Sequence, residues 1–145
     1  MVVLPDVNVL VALVWPNHVH HERVHEWLGK HRNQPWATCP LTQSGFVRVS
    51  SNRQVTPAAK SPREALALLE MMVAHPRHRF LTDDVSIADR RWIGAEKLIT
   101  YRQVTDAHLL ALALKNRAQL LTLDRTIVSL IPEGFDRARA VVVIA

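Results

Sequence analysis

Two stretches of this chain are mainly apolar and each ends in an aspartate: residues 1–6 (MVVLPD) and residues 119–124 (QLLTLD). A third, β-branched run covers residues 140–144 (AVVVI). Strands with one face in water alternate apolar and polar residues, whereas strands buried on both faces are apolar throughout. Strands that are apolar throughout are typical of parallel sheets with helices on both sides. The pattern therefore predicts an α/β fold, with three layers (α/β/α) around a central parallel sheet.

The segments between these runs have helical periodicity or the marks of helix ends. Residues 36–39 and 80–81 are predicted as further strands. The polar stretch 50–62, with two prolines, is predicted as a loop, and Ser61 as the cap of a helix that opens with Pro62. Helices are predicted at residues 7–15, 19–32, 42–51 and 85–98, and after an N-cap at Thr105. A chain of 145 residues can bury one core, so residues 1–145 are predicted to form a single domain.

Composition narrows the classes of function. Hydrophobic residues make up 48% of the chain and charged residues 21%, which predicts a folded protein and excludes intrinsic disorder. No apolar run is long enough to span a membrane, and no signal-peptide pattern is present. The single cysteine, Cys39, cannot form an internal disulfide, which suits the cytoplasm. The net charge of +5 favours a polyanionic partner.

Three aspartates are predicted to converge. Asp6 and Asp124 end strands and Asp106 begins a helix, and open α/β sheets bind ligands at the carboxyl ends of their strands. Carboxylates that lie close together raise one another's pKa unless a cation neutralises them. Ligation by oxygen alone favours Mg²⁺ or Mn²⁺ over zinc. Such a metal activates water and stabilises charge on a phosphate, so the cluster predicts a hydrolase that cleaves phosphodiester bonds.

Four motifs occur in a characteristic order: PDVNVLVAL at 5–13, ATCPLTQSGFVRV at 37–49, TDAHLLALA at 105–113 and LLTLD at 120–124. Together they resemble the PIN domain, and within that family the VapC-type toxins of bacterial toxin-antitoxin pairs. The resemblance spans nearly the whole chain. It implies an endoribonuclease with bound Mg²⁺ or Mn²⁺, a homodimer, and a cognate antitoxin protein as partner.

The resemblance also assigns roles by position. It makes three acids the metal ligands: Asp6, Asp106 and Asp124. Asn8 and Thr122 stand beside these acids and are predicted to orient carboxylates or water. Arg48 occupies a family position near the site, where it could hold a carboxylate or a phosphate. Arg48, Arg53 and Arg102 are predicted to contact the RNA backbone without reading its sequence.

Gln43 departs from the family pattern, which usually has glutamate there. Its amide oxygen could still ligate a metal or orient water, but one negative charge is lost and weaker metal binding is expected. Asp83, Asp84 or Asp89 could supply the missing charge. An alternative is a catalytically weakened PIN domain that binds RNA or a partner without cutting.

A second metal motif competes with the first. Residues 21–25 read HERVH, the zinc-protease pattern H-E-x-x-H, with Glu22 in the place of the general base and His31 in that of a third zinc ligand. The longer form of that pattern needs a glycine where this chain has Leu28, and only one predicted strand precedes the motif. We therefore expect solvent-facing histidines on an amphipathic helix and keep a zinc metalloprotease as the lesser alternative.

Overall fold

The computed structural model describes residues 1–56 and 59–145. In this part of the chain, five parallel strands form one sheet in the order β3-β2-β1-β4-β5, which confirms the predicted α/β fold. The strands are β1 (Val3–Pro5), β2 (Trp36–Thr38), β3 (His78–Phe80), β4 (Gln119–Thr122) and β5 (Val141–Val143). The helices are α1 (Val7–Val14), α2 (His21–Lys30), α3 (Pro40–Ser50), α4 (Pro62–Val73), α5 (Val104–Lys115) and α6 (Arg137–Ala140).

Alternate residues of the two central strands face opposite helix layers. Leu4 of β1 and Leu120 of β4 lie in a core with the apolar residues of α5. Val3 and Leu121 lie in a second core, with α1 and α2. All four side chains are almost completely buried. Because both faces of the sheet are covered, these strands carry no polar face, which explains their continuous apolar sequence.

Helix α1 packs closely against α3 at a glycine. A Cβ atom on Gly45 would lie 2.5 Å from Cγ2 of Val7, far closer than van der Waals contact allows. Val7 directly follows Asp6 in the chain. The absence of a side chain at position 45 therefore helps to set where α1 begins.

The predicted helix at residues 85–98 is wrong. This segment contains only a 3₁₀ turn at Ala95–Lys97. Upstream of it, Ser86 accepts a hydrogen bond from the backbone N–H of Ala88, and Asp89 accepts one from that of Arg91. Side chains that bond to nearby N–H groups in this way favour turns over helix.

Helix α5 begins earlier than predicted. Thr105 is not its N-cap, because the helix starts at Val104 directly after a 3₁₀ turn at Tyr101–Gln103. The Gln103 side chain accepts hydrogen bonds from the backbone N–H groups of Ile99 and Thr100 at the entry to this turn. Asp106 still lies in the first turn of α5, as predicted.

The stretch predicted as a loop separates α3 from α4, and residues 57 and 58 within it lie outside the described part of the chain. Ser61 caps α4 by accepting a hydrogen bond from the Glu64 N–H, as predicted. A 3₁₀ segment at Arg125–Leu130 and the short helix α6 had no counterpart among the predicted elements. Among the described residues, no helix is long and apolar enough to cross a membrane.

Candidate active site

The candidate site lies where the connections of the sheet change direction. From β1 the chain moves outward to β2 and β3, then returns to β4 beside β1 and continues to β5. In open α/β sheets, such a switch point leaves a crevice at the carboxyl ends of the strands. Asp6 follows β1 and Asp124 lies two residues beyond β4, so both acids stand at this crevice.

Asp6 is held by two groups on different elements. Its Oδ1 accepts a hydrogen bond from the Val9 N–H at 2.9 Å, which caps α1. Its Oδ2 accepts one from the Thr122 hydroxyl at 2.6 Å. The residue is only 8% exposed. Burial raises the pKa of Asp6, although these hydrogen bonds and the Asn8 backbone N–H oppose the rise.

Thr122 joins the two strand-end acids. Its hydroxyl donates to Asp6 and accepts a hydrogen bond from the Asp124 N–H at 3.0 Å. The Asp124 side chain is fixed in turn by Thr126, whose N–H and hydroxyl both donate to Oδ1, at 2.8 and 2.7 Å. Both bonds end on Oδ1, so they orient the carboxylate without using Oδ2. Thr122 is thus bonded to the carboxylate of Asp6 and to the backbone of Asp124.

Asp106 completes the cluster from the opposite helix layer. It sits in the first turn of α5 and is about half-buried. Burial, followed by the negative charges of Asp6 and Asp124, raises the pKa of Asp106 to about 6. Asp106 therefore interacts electrostatically with both strand-end acids.

Among the residues that the structure describes, none of these three aspartates forms an ion pair with a basic side chain. The ion pairs of the structure use other acids: Glu26, Asp83, Asp84, Asp89 and Asp136. Nor do any three His, Cys, Asp or Glu side chains of residues 1–56 and 59–145 lie in the compact spacing of metal ligands. Like charges repel, so three uncompensated carboxylates are expected to stand apart. Their oxygen donors and uncompensated charge fit a hard divalent cation such as Mg²⁺ or Mn²⁺.

Gln43 lies in the first turns of α3, at the same edge of the sheet. Its Nε2 donates to the Thr38 hydroxyl at 2.9 Å. Thr38 ends β2, the strand beside β1, and its hydroxyl also contacts His78 Nε2 at 2.7 Å. The Gln43 amide is therefore bonded to Thr38 and to none of the three aspartates, and Gln43 lines the groove between α3 and α4.

The side chains of the other predicted residues form no hydrogen bond or ion pair with the three aspartates, among the residues that the structure describes. The exposed side chain of Asn8 contacts His18, and only its backbone N–H faces Asp6. Arg48 is exposed on α3, where it lines a groove against α4. Arg53 is exposed in the turn after α3. Arg102 lies one helical turn before Asp106, with its guanidinium 5.8 Å from the Tyr101 ring centre.

The three acids considered as substitutes for the missing glutamate have other partners. Asp83 Oδ1 lies 2.7 Å from His108 Nε2, and Asp84 lies 3.2 Å from Lys115 Nζ, so both contact α5. Asp89 pairs with Arg91 at 2.7 Å. Asp84 and Asp89 thus pair with basic side chains, and Asp83 is hydrogen-bonded to His108.

The HERVH segment has a structural role at the end of α1. The ring nitrogens of His21 and His25 contact the carbonyl oxygens of Ala12 and Leu13, at 2.7 and 2.9 Å. His31 contacts its own helix backbone and stacks on Trp27. These ring nitrogens satisfy carbonyl groups that the end of a helix leaves free. His21 is half-buried and not solvent-facing as expected, and the zinc-protease alternative gains no support.

Sequence reasoning missed three polar residues around the site: Thr38, His78 and Thr126. Thr126 had a usable signal, because a threonine two residues after an aspartate favours a local side-chain turn. Thr38 could have been noted as the polar end of a strand next to β1. His78 gave no signal, since its contact with Thr38 depends on the pairing of strands 40 residues apart.

Comparisons with known proteins agree with this architecture. A family model described as PIN domain matches residues 3–130. The chain is 47% identical over 127 residues to Ribonuclease VapC38 of Mycobacterium tuberculosis, with 88% of each protein covered. It is 42% identical over 124 residues to Ribonuclease VapC39 of the same species, which covers 86% of this chain and 89% of that protein.

A solved structure supports the fold independently. The crystal structure of VapBC2 from Rickettsia felis bound to a DNA fragment from their promoter contains a similar chain, with a TM-score of 0.59. The match covers 94% of this chain and 100% of that one at 16% sequence identity. At that identity the likeness shows a shared fold.

Proposed function

The chain belongs to the PIN-domain family and to its VapC branch, and we propose that it is an endoribonuclease that hydrolyses RNA phosphodiester bonds. The relatives named as ribonucleases share over 40% of their residues with it across most of their length. The net charge of +5 suits an RNA substrate.

One observation carries the proposal: Asp6, Asp106 and Asp124 belong to elements that meet at the switch point of the sheet, the charges of the other two act on Asp106, and none of the three pairs with a basic side chain of the described residues. These residues would hold Mg²⁺ or Mn²⁺. A bound ion of this kind would lower the pKa of a water molecule and stabilise negative charge on the phosphate.

The surrounding residues have supporting roles in this proposal. Thr122 orients the Asp6 carboxylate by donating to it and ties it to the Asp124 backbone by accepting from that N–H, while Thr126 orients the Asp124 carboxylate. Gln43 assists by hydrogen bonding to the attacking water. Arg102, on the turn that leads into α5, would contact the RNA backbone, with Arg48 and Arg53 farther out.

The negative charge of Asp6, Asp106 and Asp124 suggests how the activity of the protein is inhibited. An uncompensated acidic pocket attracts a basic side chain, which an inhibitory partner can supply. We propose a cognate antitoxin protein as that partner, in line with the VapBC complex whose toxin-like chain shares this fold. Assembly as a homodimer and a cytoplasmic location complete the proposal.

The test is cleavage of a pool of structured RNAs by purified protein free of antitoxin. We expect cleavage with Mg²⁺ or Mn²⁺, none with EDTA, and none by the Asp6→Ala or Asp124→Ala proteins. Asp136→Ala, which removes an exposed carboxylate of α6, is the matched control and should cut normally. Cleavage that persists in Asp6→Ala and Asp124→Ala would refute the assignment.

A binding function remains the second candidate, because Gln43 supplies no charge. It would be favoured if the parent protein cut no RNA under any condition while the Gln43→Glu protein did. Retained binding of uncut RNA by the parent protein, measured by fluorescence anisotropy, would support it further.

A further inference from the structure

Tyr101 has the most exposed aromatic ring in the described part of the chain. It is 80% exposed, whereas Phe80, the next aromatic residue in order of exposure, is 52% exposed and the others are buried or partly buried. A single exposed apolar side chain is ordinary in a folded protein. Whether Tyr101 has a function therefore depends on where its ring lies and on which groups accompany it.

The position of Tyr101 follows from the direction of α5. Helix α5 leads through a short connection into β4 and packs against it, so the helix and the strand run in opposite directions. The first turn of α5 therefore lies at the carboxyl edge of the sheet, as Asp6 and Asp124 do. The 3₁₀ turn at Tyr101–Gln103 runs directly into α5 at this edge. With rises of about 2.0 Å per residue in the turn and about 1.5 Å in the helix, Tyr101 lies about 9 Å along the axis from Asp106.

A guanidinium group accompanies the Tyr101 ring. The Cζ atom of Arg102 lies 5.8 Å from the ring centre, and its Nε lies 3.4 Å from the Tyr101 hydroxyl oxygen. Among the residues that the structure describes, Arg102 forms no ion pair with an acid. The two residues thus offer an accessible aromatic surface beside a positive charge. Grooves that bind single-stranded nucleic acid combine these two groups, because bases stack on aromatic rings and cations contact the phosphates.

We propose that Tyr101 is a stacking platform for an unpaired base of the RNA substrate, with Arg102 bound to a phosphate beside that base. The inference rests on the proposed function, which supplies RNA as the ligand and cleavage near Asp106. A stacked nucleic-acid strand advances about 3.4 Å per nucleotide, so the base on Tyr101 lies about two or three nucleotides from the phosphate at the aspartates. Paired bases are not open to an aromatic side chain, so the substrate class is RNA that is single-stranded near the cleaved bond.

A protein surface is the other ligand that could cover Tyr101. Ile99 and Val104 are 85% and 44% exposed, so the ring belongs to a patch that is partly apolar. Arg102 favours RNA, because an apolar contact would cover its charge without supplying a partner for it. The two ligands make different demands on Ile99, since an aliphatic side chain adds apolar area but offers no ring on which a base can stack.

NMR of Tyr101 tests the stacking directly. It is the only tyrosine of the chain, so a protein labelled with ¹³C in its tyrosine rings gives the ring signals of this residue alone. We expect a short single-stranded oligoadenylate, added in EDTA so that it stays uncut, to shift these signals upfield, because a stacked base shields the ring protons. A duplex of oligoadenylate and oligouridylate should leave them in place. No upfield shift, or no binding of the single strand at all, would overturn the inference.

Affinity for the same oligoadenylate, measured by fluorescence anisotropy, gives the matched comparison. We expect Tyr101→Ala to weaken binding about tenfold through the loss of one stacked base, while Tyr101→Phe binds as the wild-type protein does. Ile99→Ala is the control, because it removes exposed apolar area without removing a stacking surface. Equal losses of affinity in Ile99→Ala and Tyr101→Ala, or dissociation of an oligomer by both substitutions in size-exclusion chromatography, would identify a protein interface and overturn the proposal.

The salt dependence of binding separates stacking from charge. For single strands, each phosphate contacted by a cation contributes about 0.7 to the slope of log affinity against log salt concentration. Arg102→Gln should therefore reduce the slope by about 0.7. Tyr101→Ala should leave the slope unchanged, because stacking releases no counterion. An unchanged slope in Arg102→Gln would contradict the phosphate contact.

The two proposals fail in different ways. If the wild-type protein binds the oligoadenylate but cuts no RNA, the proposed function fails, while the ring signals and the Tyr101 variants still decide the stacking. If it cuts RNA, and Tyr101→Ala binds and cuts as the wild-type protein does, the stacking role alone is refuted. A protein that neither binds nor cuts RNA refutes both.

Discussion

Replacing Asp106 with asparagine should stabilise the metal-free protein, because it removes a carboxylate that the fold holds at a cost. Burial, followed by the charges of Asp6 and Asp124, raises the pKa of Asp106 from 3.8 to about 6. A difference of about two pH units corresponds to about 3 kcal/mol. Since Asp106 is only half-buried, solvent screening reduces the expected gain to about 1 kcal/mol. For a domain of this size, that raises Tm by about 4 °C.

The stability difference between Asp106→Asn and wild type should depend on pH. Below about pH 3 the carboxyl is protonated in both states, so the wild-type protein bears no penalty. Between 3.8 and about 6 the folded state keeps a proton that the unfolded chain has lost, and the penalty grows until it is complete above the folded pKa. Asp106→Asn should therefore unfold at higher temperature than wild type at pH 8, by a smaller margin at pH 5, and at the same temperature near pH 3.

Thermal unfolding in EDTA, followed by circular dichroism, makes the comparison. Asp84→Asn is the matched control, because its carboxylate lies 3.2 Å from Lys115 Nζ and its removal should bring no gain. With saturating Mn²⁺ the order should reverse, since wild type gains more from the ion than Asp106→Asn does. An Asp106→Asn protein that is no more stable than wild type at pH 8 in EDTA would refute the reasoning.

Substitutions at Thr122, at Gly45 and at the histidines of α2 test other parts of the structure. Thr122→Val should lower the free energy of unfolding in urea by about 1–3 kcal/mol, because it leaves buried partners unpaired, and should slow cleavage at least about tenfold. Thr122→Ser should restore both the stability and the cleavage rate. Wild-type values in Thr122→Val would argue against the bridging role of Thr122. Gly45→Ala should destabilise the protein by about 1–3 kcal/mol, because the added Cβ overlaps with Val7. In urea unfolding, the double variant with Val7→Ala should recover most of that loss, whereas additive losses would contradict the close contact. His21→Ala and His25→Ala should each cost about 1 kcal/mol by losing a hydrogen bond and leave RNA cleavage unchanged; stoichiometric zinc in the wild-type protein, lost in either variant, would contradict this.

The sequence predicted the parts of the fold that depend on local pattern. Apolar runs ending at Asp6 and Asp124 identified buried strands, and parallel strands bring their carboxyl ends to one edge. The helix at 85–98 was wrong because Ser86 and Asp89 bond to nearby N–H groups, and helical periodicity does not register that competition.

Contacts between distant segments could not be predicted in the same way. The chain from Gln43 through Thr38 to His78 depends on β2 pairing with β3, and strand order follows from tertiary packing rather than local pattern. For the same reason the pairing of Asp83 with His108 was not foreseen. Local pattern identifies which groups can act, while the order of the strands decides which of them meet.

In the proposed function, Asp6, Asp106 and Asp124 hold the ion that RNA cleavage requires. This can be tested in one Mn²⁺ titration that records ion binding by electron paramagnetic resonance and single-turnover cleavage in the same samples. We expect cleavage to rise along the binding curve, and we expect Asp6→Asn and Asp106→Asn to shift both curves together to higher Mn²⁺. Cleavage that is complete before Mn²⁺ binds, or that stays unchanged in Asp6→Asn while Mn²⁺ binding is lost, would contradict it.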